Sequence, residues 1–358
     1  MSATRMLAKW SASRLMAAGT IGLTAIAALA LMPAAASAAR AGLIAPSTIT
    51  LAQQGSLAGV SCPRARRCVA VGNSVNRAGA VVPFAERWNG HAWTVLRARL
   101  PAGVKSGALT GVSCTSARAC TAVGYVDEAD TLVPLAERWN GRRWAIQRIR
   151  GRADEDNTLT GISCTSARKC IAVGSSVNGD MAAMPLAERW NGRRWAIQRI
   201  PDPAGLGFTS LKGISCASAR ACKAIGHSSN LDDDAALVVA ERWNGRRWAS
   251  QRIRSPAGFV FSSLSGVSCA SARACIAAGF SAGNETVASS VPLSERWNGV
   301  RWAIKNVPVP GAATASHLTA VSCTSARACV AVGFYQDSTG ADLVLAERWN
   351  GSVWTLLN

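Results

Sequence analysis

Histidine is nearly missing from this chain. His91, His227 and His317 are the only three in 358 residues. They lie far apart and none falls in a nucleophile or metal-ligand motif, so histidine-based acid–base chemistry and zinc binding have no basis in the sequence. Acidic residues are few as well, 20 Asp and Glu against 39 Lys and Arg, for a formal net charge of +19. The D-x-[DN]-x-[DN]-G spacing of a calcium loop does not occur. Beyond the N-terminus there is no second apolar run of membrane-spanning length, which excludes a multi-helix membrane protein. Tyrosine is reduced to two residues and phenylalanine to six, while tryptophan reaches 13.

What is present begins with an export signal. Arg5, Lys9 and Arg14 form a basic start, Ala17 to Met32 is apolar, and Ala36-Ser37-Ala38 supplies a small-x-small cleavage pattern. Residues 1–38 are therefore read as a secretory signal peptide, with a retained membrane anchor as the alternative, and 39–56 as an N-terminal segment. The mature product is expected to be secreted and extracellular, with no further membrane contact. No lipidation cysteine follows the signal. In an oxidising compartment twelve cysteines at one fixed C-x5-C spacing read as disulfides: Cys62–Cys68, Cys114–Cys120, Cys164–Cys170, Cys216–Cys222, Cys269–Cys275 and Cys323–Cys329. Closing so short a loop contributes roughly 2 kcal/mol in the chain-entropy picture.

Residues 57–358 are six near-copies of one unit, V-S-C-x5-C-x-A-V-G, a variable stretch, then L-A-E-R-W-N-G-x-x-W. The copies fall near 57–108, 109–158, 159–210, 211–263, 264–317 and 318–358. A period near fifty residues signals an array or a propeller. Each unit reads as four strands, a to d. Strands a and b carry the cysteines. Strands c and d flank Asn-Gly, the strongest short signal for a two-residue hairpin turn. With that turn in unit two, Trp139 is expected to face Arg142, Glu137 to face Trp144, and Leu135 to face Ile146. Arg142 would then lie on the Trp139 ring, and the buried Glu137 would need an arginine partner. The fold class expected is all-β: a six-bladed β-propeller with four antiparallel strands and one disulfide per blade. A pair of β-trefoils is the other architecture with this strand count.

The spacing resembles a kelch-type blade, with a glycine closing strand b, an aromatic on c and a tryptophan on d. The kelch Gly-Gly doublet is a single glycine here (Gly124 in unit two), and the S-x-D-x-G-x-x-W box of sialidase-like propellers is absent. The resemblance implies a fold and no activity. Closure of the ring is left open, with residues 46–53 as one candidate edge strand.

The a–b and c–d turns are nearly identical in all copies, whereas the b–c and d–a loops differ, so binding is expected on the latter side. The position after the strand-b glycine is Asn73, Tyr125, Ser175, His227, Phe280 and Phe334, with Tyr335 adjoining. With the loop acids Asp127 and Asp232, these are the ligand-binding candidates. The repetitive side carries Arg118, Arg142, Arg193 and Arg246, candidates for holding a cell-wall polyanion. The acid-rich stretches Asp154-Glu155-Asp156 and Asp232-Asp233-Asp234 read as solvated loop tips. The repeated serine of V-S-C reads as a strand filler. No catalytic residue, metal or cofactor is expected, nor is a specific nucleic-acid partner. The predicted role is a non-enzymatic module that binds an extracellular glycan or protein as a monomer; the alternatives are a wall-associated structural protein and, behind it, a glycan-active enzyme.

Overall fold

The computed structural model describes residues 55–201, 207–230, 235–283, 290–311 and 313–357. The expected signal peptide, residues 46–53, Asp232 to Asp234 and Glu285 lie outside the described residues. The rest is a succession of four-stranded antiparallel meanders; those of units three to five are linked into one twelve-stranded sheet by single parallel bridges, Ala183 with Phe208 and Ala236 with Phe261, and the described residues contain no helix. Unit two is representative: a is Ser106–Ser116, b is Ala119–Glu128, c is Thr131–Trp139 and d is Trp144–Gln147. The other a strands are Gly55–Arg64, Asp156–Ser166, Phe208–Ser218, Phe261–Ser271 and Ala315–Ser325.

The chemistry of the shared positions explains the sheet. All six expected disulfides are formed, and in units two to six the two cysteines are direct cross-strand partners. The glycine ending strand b sits where the chain of strand a presses closest. A Cβ on Gly124 would overlap the carbonyl oxygen of Ala108, so no larger residue fits without moving backbone.

The c–d hairpin differs from expectation. Trp139 pairs with Trp144, Glu137 with Ile146 and Ala136 with Gln147, so the turn spans four residues instead of two. The cause is the asparagine side chain. Asn140 Oδ1 accepts from the Arg142 and Arg143 amides at 2.9 and 3.0 Å, and the Asn140 amide donates to the Arg143 carbonyl at 3.3 Å. Gly141 takes φ of 94°, a left-handed conformation open to glycine. The longer turn brings the two indoles together in a tilted pair, with centroids 5.7 Å apart and planes 48° from parallel. Arg142 is thereby left in the exposed turn and does not lie on Trp139. Cation–π contacts occur elsewhere, Arg189 over Trp243 at 5.9 Å and Lys223 over Trp297 at 3.7 Å.

Successive units are joined through their a strands. The amide of Cys114 donates to Ser61 Oγ, Cys164 to Ser113, Cys216 to Ser163, Cys269 to Ser215 and Cys323 to Ser268, all at 2.9–3.0 Å. The V-S-C serine is thus a clasp between neighbours and not a filler. Hydrophobic clusters span the same boundaries; one holds Val69 and Val71 of unit one with Leu109, Trp139 and Trp144 of unit two.

The array has two bare ends. Val330 and Val332 on strand b of unit six are each 42% exposed, whereas Ile171 and Val173 at the same positions of unit three are 5% and 0% exposed. On unit one, Leu57, Val60 and Trp93 are exposed, while their counterparts Leu109, Val112 and Trp144 are buried. Unit six completes its own sheet with strand d, Trp354–Leu356.

Candidate functional site

The residues after the strand-b glycine divide into two groups. In units four to six they belong to one continuous row of rings. His227 is followed by Phe261 (centroids 5.9 Å), Phe280 (5.6 Å), His317 (4.1 Å) and Phe334 (4.9 Å). The last three pairs are stacked within 20–23° of parallel. Strand pairing sets this geometry: Phe334 lies directly across from His317, and Phe261 is held to Ala236 of the preceding unit by a parallel bridge. Polar contacts pin the imidazoles, with Ser263 Oγ 3.1 Å from His227 Nδ1 and Ser290 Oγ 2.6 Å from His317 Nε2. Burial holds His317 below its ordinary pKa of 6.5, opposed by the charge of Asp342. A neutral imidazole is the form that stacks against two phenyl rings without a desolvation cost.

The remaining candidates stand apart from this row. Asn73 Nδ2 donates to Ser56 Oγ at 3.2 Å, and Ser175 Oγ lies 3.4 Å from Thr158 Oγ1. Tyr125 sits between Ala108 and Pro134 in its sheet. Tyr335 packs on the hydrophobic cluster between units five and six. Asp127 Oδ1 accepts the Asp130 amide at 3.1 Å within the b–c turn. In the Asp154–Asp156 stretch, Asp154 is exposed in the turn, while Glu155 and Asp156 are engaged and are not solvated tips. Asp156 Oδ1 accepts the Leu132 amide at 2.8 Å, and Glu155 takes a hydrogen bond from Ser176 and pairs with Arg152 at 3.9 Å. On the opposite side, the stem of Arg118 lies under the neighbouring turn, so that a Cβ on Gly141 would come within 2.8 Å of its Cγ. Arg142, Arg193 and Arg246 occupy exposed c–d turns.

A second feature lies between units four and five. The repeat position after the second cysteine is Val69, Thr121, Ile171, Ile276 or Val330 in the other units, and Lys223 in unit four. Lys223 is 4% exposed, rests on the Trp297 ring and donates to Gln251 Oε1. Burial, aided by the charge of Arg242, lowers its pKa to about 7. Beside it opens a cleft of 680 Å³ whose lining includes Arg242, Gln251, Arg252, Glu295, Arg301 and Trp302.

The L-A-E-R-W glutamates are buried at these boundaries. Burial raises Glu188 and Glu295 to about 8 and Glu137 and Glu347 to about 7. Glu137 is met by the Arg99 backbone amide at 3.1 and 3.2 Å, and the charge of Arg99 also acts on it, so the expected arginine partner is Arg99, although no arginine side chain is hydrogen-bonded to the carboxyl among the described residues. Both carboxyl oxygens of Glu295 lack a hydrogen-bond partner among the described residues.

No protein-family model matches the sequence, and no curated protein matches it. Solved structures do. The SapL1 lectin in complex with alpha methyl fucoside superposes with a TM-score of 0.52 at 13% identity, covering 84% of this chain and 94% of that one. A protein of unknown function from Dyadobacter fermentans gives 0.52 at 8% identity, over 82% of this chain and 94% of that one. The fold is a β-propeller. A GH74 xyloglucanase from Xanthomonas campestris also matches at 0.52 and 15% identity, with 85% of this chain covering 45% of that one. At these identities the propeller likeness carries the fold alone.

Two residues of the ring row, Phe261 and His317, lie on a strands, outside the repeat position that follows the strand-b glycine; His317 pairs with Phe334, and Phe261 pairs with Ala282. Lys223 was visible as the one charged letter in an otherwise uncharged column.

Proposed function

We propose that this propeller is an extracellular, non-enzymatic binding module of six kelch-like blades, whose ligand is a glycan or a protein. The row from His227 to Phe334 carries the reading, because it crosses three units where the copies differ. Stacked rings cover each other's faces and turn their edges outward. Such a surface suits a ligand lying along the row, a polypeptide or an extended glycan, better than one sugar on one ring. Six disulfides support an oxidising, extracellular setting. The test is an array of glycans and secreted proteins probed with the mature chain, followed by Phe280→Ala with Phe334→Ala. Binding is expected to fall at least tenfold while the melting midpoint shows a folded protein; unchanged affinity in the double variant refutes the assignment.

The exposed Arg142, Arg193 and Arg246 favour a second reading, retention on an anionic cell wall. In that case the protein elutes from heparin at moderate salt, and changing these three to Gln lowers the salt needed.

A further inference from the structure

We propose that the cleft between units four and five is a second binding site, and that its ligand is a carboxylate-bearing sugar unit. Its volume of 680 Å³ falls in the range of small-ligand pockets, roughly 300–1,000 Å³. Of the polar groups around it, Lys223 has no charged counterpart in the other units, and the repeated glutamate here is left unmatched. Glu295 is 1% exposed, lines the cleft, and has no hydrogen-bond partner for either oxygen among the described residues. A buried polar group left unmatched costs stability, and a ligand hydroxyl would supply the missing bond.

Gln251 is oriented from behind. Its Oε1 receives Lys223 Nζ and, at 3.4 Å, Trp302 Nε1, which directs its amide NH2 away from both as a fixed donor. Lys223 is therefore a positioning residue: it touches the wall of the cleft and is absent from the lining. The lining is strongly cationic, holding four arginines, Arg242, Arg252, Arg254 and Arg301, and one carboxyl, Glu295. Guanidinium groups bind carboxylates in paired geometry. Burial favours the protonated form of Glu295, which both donates to and accepts from hydroxyl groups and does not repel an anion. The indole of Trp302 adds an apolar wall for the carbon face of a pyranose. Anionic charge, several hydroxyls and one apolar face together describe a uronate.

This site is distinct from the ring row, and calorimetry separates the two. The mature protein is titrated at pH 7 with D-glucuronate, with D-glucose and with sodium sulfate. Saturable one-to-one binding of glucuronate is expected, at least tenfold tighter than glucose or sulfate. Arg301→Gln and Arg252→Gln, both surface changes, are expected to weaken it at least tenfold with the melting midpoint retained. Phe280→Ala is expected to leave it intact. No saturable heat with glucuronate, equal binding of sulfate, or full affinity in both arginine variants would overturn the proposal.

Discussion

Lys223 is a costly residue for a propeller to keep. The other units place Val, Thr or Ile at its position, and an ammonium withdrawn from water carries a desolvation penalty that one amide and one indole face only partly offset. Lys223→Ile is expected to raise stability by about 1 kcal/mol or more, read as a higher urea midpoint, because replacing a buried charge with a packed apolar side chain is often stabilising. A loss of stability would mean that the Gln251 bond outweighs the penalty. The residue was legible as an exception within a column, but its contacts were not: Gln251 and Trp297 reach it from separate strands. The ring row was half legible for the same reason. His227, Phe280 and Phe334 share one repeat position, whereas Phe261 and His317 enter the row only through strand pairing.

At the scale of the strand, disulfides and four-strand units were readable because each is local and recurs six times. The c–d register was not, since the turn length is decided by a side-chain cap from Asn140 that the Asn-Gly pair alone does not reveal. The serine clasp was hidden too, because its partner lies a full repeat away. Ser163→Ala leaves the Cys216 amide without its acceptor and is expected to cost about 1 kcal/mol, measured by denaturant unfolding. A substitution with no effect would show that the clasp is replaced by water.

Across the whole molecule the buried glutamates set an unusual pH response. Glu137, Glu188, Glu295 and Glu347 have folded pKa values of about 7 to 8 against an ordinary 4.5. Their raised pKa contributes stability that is fully present below 4.5 and is lost as pH rises through 7 to 8. Three bases oppose this, each with a lowered pKa whose contribution is lost as pH falls: Lys223 from 10.5 to about 7, Lys212 below 10.5 and His317 below 6.5. With four acids against them, the melting midpoint is expected to be higher at pH 5.5 than at pH 8. Glu188→Gln, a permanent mimic of the neutral acid, should shrink that difference; an unchanged difference would exclude Glu188 as a source.

The bare ends of the array have a kinetic counterpart. An inner unit is clamped from both sides, and units one and six from one side only, so opening costs least where Val60 and Val330 face water. Backbone amides should then exchange with deuterium along a gradient, fastest in the terminal sheets and slowest in units three and four. Exchange that is uniform from unit one to unit six would instead mean that the two ends meet in solution and protect each other.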